Sequence, residues 1–164
     1  MTRKITYAAL AATTLAGLAI SAAPAQAAQE RPAGNHCVAD ISDRTGASMS
    51  CFTSEAGAQR AIDGRRGWIP LVIFYDGTGY GGKSLTLGHA NGACTASTGN
   101  VDYAHPNLGA YGWNNRASSF VTRNRCDMKG YDGTSYTGDS FKSWVDHDSR
   151  LVRWNNDISS FRLS

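Results

Sequence analysis

Two phrases of eight residues occur twice in this chain, and the duplication constrains the fold more than any other feature. The first phrase reads YDGTGYGG at residues 75–82 and YDGTSYTG at residues 131–138. The second reads WNNRASSF at residues 113–120 and WNNDISSF at residues 154–161. Each pair agrees at six of its eight positions, and the order of the phrases is the same in both copies. One structural unit is therefore duplicated within the polypeptide.

Residues 1–27 have the pattern of a secretory signal peptide. Arg3 and Lys4 precede an apolar stretch over residues 5–20, and the small residues at 25–27 suit a signal peptidase. A membrane span is the alternative, but the stretch is short for one and is interrupted by polar residues. The pattern predicts cleavage after Ala27 and a secreted, extracellular protein without a membrane anchor.

The charge balance gives no indication of a nucleic-acid partner. The formal net charge is +3, and removal of Arg3 and Lys4 with the signal peptide leaves +1. The remaining residues contain no run of Lys or Arg that would suggest nucleic acid or an anionic membrane surface.

Four cysteines follow the predicted cleavage point: Cys37, Cys51, Cys94 and Cys126. An even number of cysteines in an exported chain predicts disulfides, and three pairings are possible. We favour Cys37–Cys51 and Cys94–Cys126, because a hairpin and the repeat bring these segments together. A zinc site is the alternative, but the sequence has no C-x-x-C pair and its histidines are scattered.

Residues 28–69 form a region of their own in the sequence. After a lead over residues 28–36, the segment 37–52 has the apolar positions and turn residues of a small hairpin. Ser54 is placed to cap a short helix over residues 55–62. The sequence therefore predicts a disulfide-linked hairpin followed by a short helix.

From Pro70 onward the chain is predicted to be all-β. Residues 71–75 form a buried-strand run, while Leu85 and Leu87 alternate with Thr86 as in a half-buried strand. The first copy is longer than the second by 15 residues, which we place in a loop within residues 89–112. Short strands and abundant glycine favour a sandwich or barrel.

The repeated N-N-x-x-S-S sequences, called here the first turn (114–119) and the second turn (155–160), are rich in oxygen atoms. Amide, hydroxyl and main-chain carbonyl oxygens are hard ligands of the kind that calcium prefers. Asn and Ser also cap turns without binding a metal, and a single copy would favour that alternative. Two copies, each after a tyrosine-rich hairpin, favour calcium.

Together, Y-x-x-x-x-Y-x-G and N-N-x-x-S-S resemble the Greek-key motif of the βγ-crystallin family with its calcium-binding signature. The resemblance covers residues 70–164, with motif one at 70–122 and motif two at 124–164. It implies two four-stranded Greek keys that pack as two sheets about a pseudo-twofold axis. The predicted fold is an all-β double Greek-key sandwich of the βγ-crystallin type, with the hairpin and helix of residues 28–69 as a small N-terminal appendage.

The same resemblance implies up to two calcium sites. It assigns side-chain oxygens to Ser118 and Ser159. A further carbonyl of each site is assigned to the tyrosine hairpin of the other copy, near Asp76–Thr78 or Asp132–Thr134. The remaining implied residues are those that supply carbonyls, Asn115 and Asn156, and those that shape the turns, Asn114 and Asn155. Arg116 departs from the pattern, since it places a cation where the second turn has Asp157.

The sequence predicts no catalytic site. The four histidines show no paired spacing, and the motifs of hydrolases, zinc proteases and nucleotide-binding loops are missing from the sequence. An alternative function is a secreted metallopeptidase inhibitor, because small exported bacterial proteins with a crystallin-like fold include such inhibitors. Disulfide-fixed loops, at 89–112 or at 62–68 with Arg65, Arg66 and Trp68, would suit that role. The predicted partners are therefore calcium and an extracellular protease or cell-wall component.

Overall fold

The structure is a computed structural model that describes residues 34–164. The predicted signal peptide (1–27) and the first part of the lead (28–33) lie outside the described residues. Within residues 34–164 there are nine β-strands and one α-helix. In chain order they are β1 His36–Asp40, β2 Ser50–Phe52, α1 Glu55–Asp63, β3 Ile69–Tyr75, β4 Ser84–His89, β5 Tyr103–His105, β6 Ser119–Thr122, β7 Met128–Tyr131, β8 His147–Asp148 and β9 Ser160–Leu163.

The strands form two sheets that exchange strands between the copies. One sheet has the order β2-β1-β4-β3-β6-β8 and the other the order β5-β9-β7. β8 from the second copy lies beside β6 of the first, and β5 from the first copy lies beside β9 of the second. This reciprocal exchange of the third strand interlocks two Greek keys. It confirms the predicted all-β double Greek-key fold.

Aromatic residues from both copies fill the space between the sheets. Phe74, Phe120 and Phe161 are fully buried, and the ring centroids of Phe74 and Phe161 are 5.2 Å apart in an edge-on contact. These side chains alternate with outward-facing residues along their strands, as the two-residue period of a strand requires. Neither copy could bury its apolar face without the other.

Both tyrosine phrases fold into the same hairpin. The ring centroids of Tyr75 and Tyr80 are 5.8 Å apart and those of Tyr131 and Tyr136 are 5.9 Å apart, both edge-on. The chain bends between each pair through a short 3₁₀ turn. The bend explains how two rings five residues apart meet on one side, which a straight strand would not allow.

The glycine that ends each hairpin is required by its conformation. Gly82 and Gly138 have φ angles of 81° and 75°, in the left-handed region. A Cβ atom at Gly138 would also lie 1.9 Å from Oδ1 of Asp132. A residue with a side chain would be strained at either position.

The N-terminal hairpin extends the first sheet. β1 pairs antiparallel with β2 and parallel with β4, in a register that aligns His36 with Ser84. Disulfides join Cys37 to Cys51 and Cys94 to Cys126, which is the pairing that we favoured. Disulfides of this kind are typical of proteins in oxidising compartments.

Helix α1 covers the outer face of this sheet. The Ser54 hydroxyl accepts a hydrogen bond from Gly57 N at 3.2 Å, as expected of an N-cap. Ala58 and Ile62 pack with Val38 and Trp68 in a small second core. The helix also explains why β4 is buried on both faces, whereas alternation in the sequence predicted a half-buried strand.

The prediction of a loop over residues 89–112 is wrong in part. The segment contains β5 and a 3₁₀ turn at Leu108–Tyr111. β5 is too short and too polar to be recognised locally, and it exists because it pairs with β9 of the other copy. The added length of the first copy therefore lies before β5.

His105 on β5 is buried in its neutral form. Its Nε2 atom donates to the carbonyl oxygen of Asp43 at 3.0 Å, and its Nδ1 atom accepts from Asn107 N at 3.3 Å. Burial lowers the pKa of His105 below its ordinary value of 6.5, and the nearby Arg44 acts in the same direction. The Asp43 carbonyl and carboxylate oppose this shift but do not outweigh it.

We expect stability to fall as the pH is lowered through the range in which His105 titrates. Because the folded-state pKa is depressed, the unfolded chain binds more protons just below pH 6.5, and the free energy of unfolding decreases from there toward lower pH. Chemical denaturation between pH 7.5 and about pH 5 should show this slope, and the His105→Gln variant should have a shallower one. Equal slopes in both proteins would show that His105 does not contribute.

Candidate metal-binding turns

The first and second turns lie against each other across the repeat. Asn115 N donates to Ile158 O at 3.1 Å, and Asn156 N donates to Ala117 O at 2.9 Å. Both asparagines have a positive φ, 51° and 57°, a conformation that Asn tolerates better than most residues. The two turns are therefore reciprocal partners with matching backbone shapes.

The last serine of each turn fixes that turn to the tyrosine hairpin of its own copy. Ser119 Oγ donates to Gly77 O at 2.6 Å and accepts from Tyr80 N at 3.1 Å. Ser160 makes the same two hydrogen bonds in the second copy. Each hairpin is thus held beside a turn, so the two halves of the duplicated motif form one local unit.

The preceding serine of each turn reaches across to the other copy. Ser118 Oγ lies 3.4 Å from Asn156 Oδ1, and Ser159 Oγ donates to Asn115 Oδ1 at 2.9 Å. Both serines are buried, with 6% and 4% of their surface exposed. Hydroxyl and amide oxygens from the two copies therefore converge at two related places.

We group each of these places with the aspartate of the adjoining hairpin, and call the groups the first clamp (Asp76, Asn115 and Ser159) and the second clamp (Asp132, Asn156 and Ser118). In each clamp, the aspartate and the asparagine come from one copy, the aspartate from its hairpin and the asparagine from its turn. The serine comes from the turn of the other copy. Asn114 and Asn155, predicted to shape the turns, are exposed next to the residues that converge.

In the first clamp the aspartate is fully engaged by the protein. Asp76 Oδ1 accepts a hydrogen bond from Lys83 N at 2.7 Å, and Oδ2 accepts one from Arg116 Nη2 at 2.9 Å. The Arg116 guanidinium also lies over the Trp113 ring, 4.7 Å from its centroid. A side-chain cation thus neutralises this carboxylate, and a metal ion would meet its repulsion.

In the second clamp the aspartate lacks a partner. Asp132 Oδ1 is buried and accepts no hydrogen bond from any residue in the range 34–164. The position of Arg116 is taken there by Asp157, which is exposed. A buried carboxylate oxygen without a donor is costly, and a bound cation would compensate it. The Oδ1 atom lies against Gly138 inside its own hairpin, so the two clamps differ by its missing donor and by Asp157 in place of Arg116, and of the two only the second is compatible with calcium.

The sequence indicated the residues of both clamps but treated the two sites as equivalent apart from Arg116. It also predicted that the hairpin of the other copy serves each turn, whereas the structure holds each hairpin to the turn of its own copy. It missed the ion pair between Arg116 and Asp76, although the opposite charges of these residues were visible. No spacing rule joins positions 40 residues apart, so only the folded repeat brings them together.

Carboxylate and imidazole groups do not form a separate metal site in the described part of the chain. Residues 34–164 contain no group of three or more His, Cys, Asp or Glu side chains placed to hold a metal ion. The clamps are not of that type, since most of their oxygens come from amides, hydroxyls and carbonyls. The helix found in the same range is also too short to cross a membrane.

The segments considered for protease inhibition differ in exposure. Trp68 is only 8% exposed and lies under the Arg65 guanidinium, so the segment 62–68 does not present this ring to a partner. The loop over residues 95–101 is exposed and is held by Ser164, whose hydroxyl lies within hydrogen-bond distance of two of its carbonyl oxygens. Inhibition of a protease stays a prediction.

Comparison with known proteins gives similarity at the level of structure. No family model matches the sequence, and no curated protein matches it.

A βγ-crystallin from Ciona intestinalis is 18% identical with a TM-score of 0.42, over 57% of this chain and 98% of the other. The N-terminal domain of protein S is 22% identical with a TM-score of 0.43, over 57% and 94% of the two chains. An archaeal βγ-crystallin is 23% identical with a TM-score of 0.41, over 58% and 98%. The interlocked Greek keys themselves define a fold of the βγ-crystallin type.

Proposed function

We propose that this chain is an exported, non-enzymatic calcium-binding domain that holds one calcium ion in the second clamp. The observation that carries the proposal is the buried Oδ1 atom of Asp132, which lacks a donor among the described residues, on the hairpin that Ser160 holds to the second turn. The matching atom of Asp76 accepts a hydrogen bond from Lys83 N. The repeat thus supplies an internal comparison between an engaged and an unengaged carboxylate.

The chemistry of the second clamp favours calcium over other common cations. Asp132, Asn156 and Ser118 offer carboxylate, amide and hydroxyl oxygens, and the exposed carbonyls of the second turn can add to them. Calcium accepts six to eight such ligands in irregular geometry, whereas magnesium requires a compact octahedron and zinc prefers nitrogen and sulfur. A site of this composition is therefore expected to select calcium.

Calcium is expected to stabilise the fold by binding across the repeat. Ser118 comes from the first copy and Asn156 from the second, so the unfolded chain cannot present the site. A ligand that binds only the native state adds stability by mass action, about 2.7 kcal/mol at a concentration one hundred times its Kd. The function proposed is thus that of a metal-stabilised extracellular scaffold.

Isothermal titration of the purified protein with CaCl₂ tests the proposal. We expect one equivalent of calcium to bind and the melting temperature to rise with its concentration, while MgCl₂ at equal concentration has a much smaller effect. The protein in EDTA is the reference state. The absence of both heat and thermal stabilisation would contradict the proposal, and two equivalents would contradict the assignment of the first clamp as closed by Arg116.

A further inference from the structure

The second copy leaves open a place that the first copy covers. In the repeat, residues 140–145 correspond to β4, since Tyr131 corresponds to Tyr75. In the first copy, β1 pairs in parallel with β4 over Ser84–Gly88, on the edge of β4 away from β3. Residues 140–145 make only two isolated bridges, both to β7, and pair with no other described strand.

Main-chain groups at this edge are unused. Phe141 N donates to Gly130 O at 3.0 Å, and Val145 exchanges two hydrogen bonds with Met128. Between them, the residues 142–144 make no main-chain hydrogen bond with any residue in the described range. Residues 142 and 143 form a bend, and the main-chain groups of 142–144 have no partner in the described range, so an added chain can bind them beside β7.

An aromatic pocket lies at the same edge. It has a volume of about 370 Å³, and Phe120, Phe141 and Trp154 form its apolar wall. The ring centroids of Phe141 and Trp154 are 5.0 Å apart, edge-on. A cavity of this size is large enough to hold one or more buried side chains.

The first copy shows how such a cavity is filled. Trp113 corresponds to Trp154, and the cavity beside Trp113 is only about 150 Å³. It is closed by Cys37, Met49 and Cys51 of the N-terminal hairpin. In the first copy, therefore, an extended segment of the chain pairs along the edge and places apolar side chains near the tryptophan. A segment of the same kind would fit the open place in the second copy.

We propose that residues 140–145 and the adjoining aromatic pocket bind an extended segment of a partner polypeptide. The segment pairs its main chain with residues 142–144 and inserts an apolar side chain beside Trp154. Lys142 is exposed at this edge and has no acidic partner within 4 Å in the described chain, whereas Arg153 is paired with Asp139. The favoured segment therefore carries an acidic residue near the inserted apolar one. This site does not depend on calcium.

Selection from a phage-displayed library of linear 12-residue peptides tests the proposal, with synthetic copies of the enriched peptides as the probes. The Ser143→Pro variant removes a main-chain donor that no described residue uses. Ser143→Ala is its matched control, since Ser143 is exposed and makes no hydrogen bond to a described residue. We expect the enriched peptides to bind the wild type and Ser143→Ala equally and Ser143→Pro at least about tenfold more weakly.

Amide hydrogen exchange of the wild-type protein provides a second measurement that needs no variant. Bound peptide should slow exchange at residues 142–144, because these amides would gain acceptors. The proposal is overturned if no peptide is enriched, if binding peptides leave these amides unprotected, or if the amides are already protected without peptide. Equal binding by a folded Ser143→Pro variant overturns it as well.

Discussion

The third residue is Arg116 in the first turn and Asp157 in the second. Exchanging these two charges is expected to move the calcium site from the second clamp to the first. The Arg116→Asp variant should bind two calcium ions, and the Asp157→Arg variant should bind none. The double variant should bind one ion, as the wild type does, but in the first clamp. These are the largest changes that the structure predicts from single surface substitutions.

The physical reason lies in the partner of each hairpin aspartate. Arg116 neutralises Asp76 at 2.9 Å and would repel a divalent ion in the same place. Two unit charges 4 Å apart interact by roughly 4 kcal/mol near a protein surface, which exceeds the 2.7 kcal/mol that a hundredfold loss of affinity requires. An arginine at position 157 should therefore weaken calcium binding in the second clamp by at least about a hundredfold.

Both substitutions should leave the fold intact. The Arg116 and Asp76 side chains are 35% and 25% exposed, and partly exposed ion pairs contribute about 1 kcal/mol or less. Asp157 is exposed. Stoichiometry from isothermal titration, with melting curves in EDTA as the folding control, checks the prediction. A single site that persists in both Arg116→Asp and Asp157→Arg would contradict it.

Replacing Asp132 by Asn is expected to change stability in opposite directions with and without calcium. Without metal, the variant should be more stable by about 1 kcal/mol, because it no longer buries a charged oxygen that lacks a donor. With calcium in excess, it should be less stable than the wild type, because its affinity is at least about a hundredfold lower. Thermal or urea denaturation in EDTA and in CaCl₂ measures both effects.

The matched control for this prediction is Asp76→Asn in the first copy. It removes the ion pair with Arg116 but keeps a side-chain oxygen for Lys83 N. We expect a loss of about 1 kcal/mol or less in both media and no change in calcium affinity. If Asp132→Asn destabilises the metal-free protein and leaves calcium binding unchanged, Asp132 is a turn residue only.

The duplicated phrases made the core of the fold predictable. Tyr75 and Tyr80 are five residues apart, so the chain has to bend between them for their rings to meet, as they do. The cysteine pairing followed from the same reasoning, because the repeat brings Cys94 and Cys126 together. Local chemistry and the repeat indicated the same structure at these positions.

Features that depend on contacts between the copies were not predictable from local patterns. β5 is three residues long and exists because β9 of the other copy pairs with it. The ion pair of Arg116 with Asp76 and the missing donor for Asp132 appear only when the turns are folded. The difference between the clamps therefore comes from a few side chains placed on nearly identical backbones.

A crystal structure of the protein grown in millimolar CaCl₂ would locate the metal in one clamp, in both or in neither. We expect one cation, bound by the Asp132 carboxylate and the Ser118 hydroxyl, with the Arg116 guanidinium still on Asp76. A cation in the first clamp with Arg116 displaced, or an empty second clamp at saturating calcium, would contradict it.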